Sequence, residues 1–273
     1  MKDLNLETFV KTLPSLTNLY YNLYPDMKIL APSQIININI TSSLSKSHLA
    51  LRPDLKDTLT VQKIEDFDNY NGQMVLPPLV GEPIHILLNK NKIIEYFSHK
   101  DTELTPIGTY LHELTHAIDF YLMAQKEKLK SYDPLLSSDD YLMFQMWSEY
   151  HARELGLKFL LTFSEKNSAN KKEELQYILT TAFPYIIEVT FKEYHAAKNA
   201  ESEMYIIMQL LGRISVWKDI YPLEFNDVFL EDVFGTNIWM KNIFYFLRKF
   251  RTLEEIYPNF NTMRLIFSEN WTF

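Results

Sequence analysis

The stretch from Thr105 to Lys126, TPIGTYLHELTHAIDFYLMAQK, decides how the whole chain reads. Ile107, Tyr110, Leu111, Leu114, Ala117, Ile118, Tyr121 and Leu122 recur at spacings of three and four, the period of a helix with one apolar face. Thr105 supplies an N-cap and Pro106 suits the first turn. The pattern fades over Lys126 to Lys130 and stops at Asp133-Pro134. Inside this helix stands His112-Glu113-Leu114-Thr115-His116. Residues four apart lie on one helix face, about 6 Å apart along the axis, so both imidazoles reach one metal ion. Glu113 sits beside them, where a carboxylate can act on a metal-activated water.

Composition narrows the chemistry. The chain has 273 residues, 47% hydrophobic and 23% charged, as in ordinary globular proteins. It has no cysteine, so disulfides, thiolate metal sites and a Cys nucleophile are excluded, and any transition metal must be held by His and carboxylates. Six glycines leave little material for phosphate-binding loops or all-β turns, so helix should dominate. The net charge of −8 lacks the basic footprint of a general nucleic-acid binder. No stretch reaches ~18 uninterrupted apolar residues, and the first residues lack a signal-peptide core, so the expectation is a soluble cytoplasmic protein without membrane or nucleic-acid partners.

Before residue 105 lie short β-like runs: Gln34 to Ile40, a second candidate from Thr58 to Ile64, and Ile84 to Leu88, punctuated by Pro-rich and Asn/Asp-rich turns. This half reads as a small sheet with an N-terminal helix. The run Pro83 to Asn89 is either an edge strand able to pair with an extended peptide or an interior strand, a reading that its nearly continuous apolar character supports. His85 within it reads as an alternating surface residue. After 105, helices take over. A second helix is expected from Ser137 or Ser138 to about Phe163, with Asp139 and Asp140 in its first turn, followed by helices at 172–198, 201–217 and 236–251.

A catalytic zinc needs a third protein ligand and an open position for water. Asp119 lies on the histidine stripe, but about 7.5 Å along the axis from the midpoint of the pair, beyond its short side chain on an unbroken helix. It reads instead as an acceptor for a histidine ring N–H, or as an ordinary helix Asp. Glu149, in Trp147-Ser148-Glu149-Tyr150-His151-Ala152-Arg153, is favoured, because a carboxylate in a largely apolar helix needs a partner or a metal. His151 and Glu154 are the alternatives; His151 points about 160° away from Glu149 around the helix. Arg153, one turn on, can orient Glu149 or Asp119, or form a surface ion pair. Tyr141, Tyr150 and His195 are the candidate donors to a transition-state oxyanion.

His112 to Ala117, HELTHA, resembles the active-site helix of the zincin metallopeptidases. The order of strand, HExxH helix and Glu helix is similar to that of the gluzincins, and Glu149 with Ala152 most resembles the ImmA/IrrE-like bacterial and phage-associated metallopeptidases. The resemblance spans roughly residues 80 to 163. It implies His112, His116 and Glu149 as zinc ligands and Glu113 as general base. Thermolysin-like enzymes carry Asn before the Glu ligand and Asp four residues after it, where this chain has Ser148 and Arg153, so that surrounding shell does not transfer.

The expected architecture is therefore α+β: a zincin-like metallopeptidase domain at 1–165 and a helical C-terminal extension at 166–273, packed on the core. The expected function is zinc-dependent hydrolysis of a peptide bond in an intracellular peptide or protein, with Zn²⁺ as cofactor. The rival from another class is a non-catalytic metal-binding or protein-interaction module on the same scaffold, which has no use for a base beside the ligands.

Overall fold

A computed structural model describes residues 5–28, 35–57, 60–99, 102–167 and 171–271. The chain is α+β, mostly helical with a three-stranded sheet. It divides into two compact units, 1–137 and 138–273. The helix that carries Glu149 packs chiefly on a helix further along the chain. Among the described residues no helix is long and apolar enough to cross a membrane.

The first unit opens with α1, Leu6–Leu23, whose N-cap Asn5 accepts from the Thr8 amide at 2.9 Å. Then come β1 (Ile36–Thr41), α2 (Leu44–Leu51), α3 (Val61–Phe67), β2 (Gly72–Val75), β3 (Ile84–Asn89), α4 (Lys90–Phe97), α5 (Thr105–Lys126) and the single turn α6 (Asp133–Leu136). The strand order is β1-β3-β2, with β3 parallel to β1 and antiparallel to β2. β3 is thus the interior strand, and the edge-strand option for Pro83 to Asn89 is corrected. Its side chains explain this: Ile84, Ile86, Leu87 and Leu88 are all buried. Leu87 packs with Leu44, Phe67 and Val75 under α2 and α3, while Leu88 and Gly72 face α5. Each such apolar side chain removed from water is worth about 1.5–3 kcal/mol, so a strand covered on both faces needs no alternation.

Two local expectations change. Gln34, Thr58 and Leu59 lie outside the described residues. The strand expected from Thr58 to Ile64 gives way to helix from Val61, because the Thr60 side chain caps that helix by accepting from the Lys63 amide at 3.2 Å. Thr105 lies within α5 instead of capping it; Leu104 is the N-cap, its carbonyl accepting from the Gly108 amide at 3.0 Å.

The second unit holds α7 (Tyr141–Asn167), α8 (Lys171–Tyr177), a π-helical turn (Ile178–Ala182), α9 (Phe183–Ala196), α10 (Ala200–Ile220), α11 (Asp227–Phe234), α12 (Ile238–Lys249), α13 (Leu253–Ile256) and α14 (Phe260–Ser268). The expected helix at 172–198 is interrupted by the π turn just ahead of Pro184, which has no N–H to continue the ladder. α7 begins three residues later than Ser138. Gly212 on α10 meets α7 so closely that a Cβ there would fall 2.6 Å from the Tyr150 carbonyl oxygen.

Candidate metal centre

The histidine pair is built by α5 alone. Its only Gly and Pro, Gly108 and Pro106, lie in the first turn, so the helix is regular through His112 and His116. Their Nε2 atoms stand 3.1 Å apart and the rings are nearly perpendicular, at 89° with centroids 4.5 Å apart. Two nitrogens on one tetrahedral zinc, at bonds of about 2.1 Å, are about 3.4 Å apart, so the pair is close to the spacing that a shared ion requires. His112 is buried and His116 partly so. α1 braces this helix: the Tyr20 hydroxyl meets the Thr115 hydroxyl at 2.7 Å, and Thr17 meets the Tyr110 hydroxyl at 2.5 Å.

Glu113, partly exposed, lies against β2. A Cβ at Gly72 would be 2.8 Å from Thr109 Cγ2 and 3.2 Å from Glu113 Cγ, so glycine is the residue that lets α5 settle on this strand. Asp119 is fully buried on the same helix. Its charge is felt by Tyr20, whose hydroxyl pKa is pushed well above the ordinary value, chiefly by burial.

Glu149 lies in mid-α7 and is 2% exposed. The nearest cation in its own unit is Arg153, with Nη2 3.9 Å from Glu149 Oε1; the same Nη2 donates to Gln209 Oε1 on α10 at 2.8 Å. Arg213, also on α10, completes the surroundings: burial, and then Arg153, lower its pKa to about 10, while Glu149 and Glu193 act to raise it.

The alternatives to Glu149 have other company. Glu154 is buried and accepts from Ser215 Oγ at 2.6 Å, with Arg251 at 3.7 Å. His151 stacks on Trp147 with ring centroids 4.7 Å apart. Among the candidate donors, Tyr150 is fully buried near Glu154 and Ser215, in surroundings that raise its pKa, chiefly by desolvation. Tyr141 stands at the start of α7, its pKa raised by burial. His195 is exposed near the end of α9, tilted against Phe191. His85 meets the Asn39 side-chain nitrogen at 3.1 Å across the β1–β3 pair.

Gly72 and Arg213 were not singled out by the sequence. A lone glycine opening the short run Gly-Gln-Met-Val, in a chain of six glycines, was the available signal for the first. A cation inside Leu210-Leu211-Gly212-Arg213-Ile214 was the signal for the second.

No family model matches the chain, and no curated protein or solved structure matches it either.

Proposed function

We propose that the chain is a zinc-dependent metallopeptidase that hydrolyses a peptide bond of a peptide or protein, with His112, His116 and Glu149 as ligands and Glu113 as general base. The observation that carries this reading is the pair His112 and His116 on α5, with Nε2 atoms 3.1 Å apart and Glu113 on the same helix. Two imidazoles and one carboxylate are a donor set suited to zinc and leave a coordination position for water.

Zinc bound there supplies a charge that acidifies water and polarises the scissile carbonyl. Glu113 accepts a proton from the attacking water on its carboxylate and passes it to the departing amine nitrogen. Gly72 preserves the space in which that side chain sits. β2 pairs with β3 alone among the described residues, so its outer edge offers an extended peptide a strand to pair with, beside Glu113.

The test is Glu113→Gln in the zinc-loaded full chain, assayed by mass spectrometry against a mixed peptide library. The variant should keep its metal and lose cleavage by about 10²-fold or more. Equal cleavage by the two proteins removes Glu113 from the role of base.

A further inference from the structure

We infer that Arg213, with Arg153, forms a subsite for a substrate carboxylate beside Glu149; the inference rests on the metallopeptidase reading and deepens it. Contacts between α7 and α10 run in parallel: Tyr150 meets Gly212, Glu154 meets Ser215, and Lys158 meets Asp219. Glu149 and Arg153 on α7, and Gln209 and Arg213 on α10, therefore flank one side of this seam, at spacings of four residues on each helix. The missing Cβ of Gly212 brings the two helices together there.

This side holds two guanidinium groups beside the deeply buried Glu149 carboxylate, with the exposed Glu193 the other acidic group felt by Arg213. Arg153 spends one nitrogen on Gln209 and stands 3.9 Å from Glu149, and its buried Nε has no hydrogen-bond partner. Arg213 makes no hydrogen bond and no ion pair within 4.0 Å among the described residues, although it is only partly exposed. Its guanidinium therefore keeps donors that an incoming anion can engage without breaking a bond to the described residues. A metal ligated by Glu149 would draw on that carboxylate's charge and enlarge the cationic surplus. The planar fork of Arg213 fits a carboxylate, which a peptide can offer from its C-terminus or from an Asp or Glu side chain.

Three metal-directed probes separate these sources: a succinyl hydroxamate coupled to alanine with a free carboxylate, to alaninamide, and to glutamic acid α-amide. Binding to the zinc-loaded full chain is measured by calorimetry for wild type, Arg213→Gln and Arg213→Lys. Wild type should prefer one of the two carboxylate probes over alaninamide by about tenfold or more. Preference for free alanine identifies a C-terminal carboxylate, and preference for the glutamyl probe an acidic side chain. Arg213→Gln should lose that preference while binding alaninamide as wild type does, which also reports that it folds; Arg213→Lys should keep part of it. Equal binding of all three probes by wild type, or an undiminished preference in Arg213→Gln, overturns the subsite alone. Failure of every probe to bind overturns the metal reading and the subsite with it.

Discussion

At the scale of single residues, the two imidazole nitrogens 3.1 Å apart are the most specific feature of the chain. They were legible in the sequence because helical spacing fixes them without help from the rest of the fold. The burial of Glu149 was legible for a different reason: it stands in a largely apolar stretch of helix, where a carboxylate demands a partner. Arg213 was not, since its significance comes from a seam between two helices that no local pattern records. A second set of charges has a structural role. Asp219 accepts from Arg248 at 2.8 Å and from Arg251 at 2.9 and 3.1 Å. Burial opposes its ionisation, but the hydrogen bonds from Arg251 and Arg248 outweigh it and hold the pKa at about 2, below the ordinary 3.8. A depressed carboxylate pKa contributes stability that is complete above the ordinary value and lost as pH falls towards about 2. Asp219→Asn should therefore lower stability by about 1–2 kcal/mol at pH 7 and flatten the loss between pH 4 and 2, measured by urea unfolding. A variant that keeps the wild-type slope would show that the acid sensitivity arises elsewhere.

At the scale of elements, α5 follows from the sequence because its apolar period is long and unambiguous, and β3 because its apolar run is nearly continuous. β2 escaped notice because four residues beginning with Gly offer no alternation to detect, and its place is set by pairing Gly72 with Leu88 and Val75 with His85. The segment after Thr60 failed as a strand because a local side-chain cap outweighed its apolar content. Two glycines carry the close approaches. Gly72→Ala would press on Thr109 and Glu113, which flexible side chains can partly absorb; the expected cost is about 1–2 kcal/mol together with a loss of activity. Gly212→Ala would drive a methyl against the Tyr150 carbonyl, which cannot move aside, and should cost about 3 kcal/mol or more. Thermal melts of both variants check the order; a Gly212→Ala protein as stable as wild type would contradict the close packing of α7 on α10.

At the scale of the whole molecule, the His pair belongs to the unit at 1–137 and Glu149 to the unit at 138–273. The sequence placed the Glu helix with the first domain because chain order and resemblance suggested a contiguous 1–165 core. α7 shares its main seam with α10, where the Arg153–Gln209 and Glu154–Ser215 contacts join residues 56 and 61 apart in the chain. Under the proposed function, zinc should raise the melting temperature of the full chain. The measurement that tests the central claim most directly is the zinc content of the full chain after equilibration with zinc and removal of excess. Wild type and Glu113→Gln should each retain about one zinc per chain, whereas His112→Ala, His116→Ala and Glu149→Ala should each lose it. A wild-type protein that retains no zinc, or a Glu149→Ala protein that retains it fully, would contradict the His-His-Glu site.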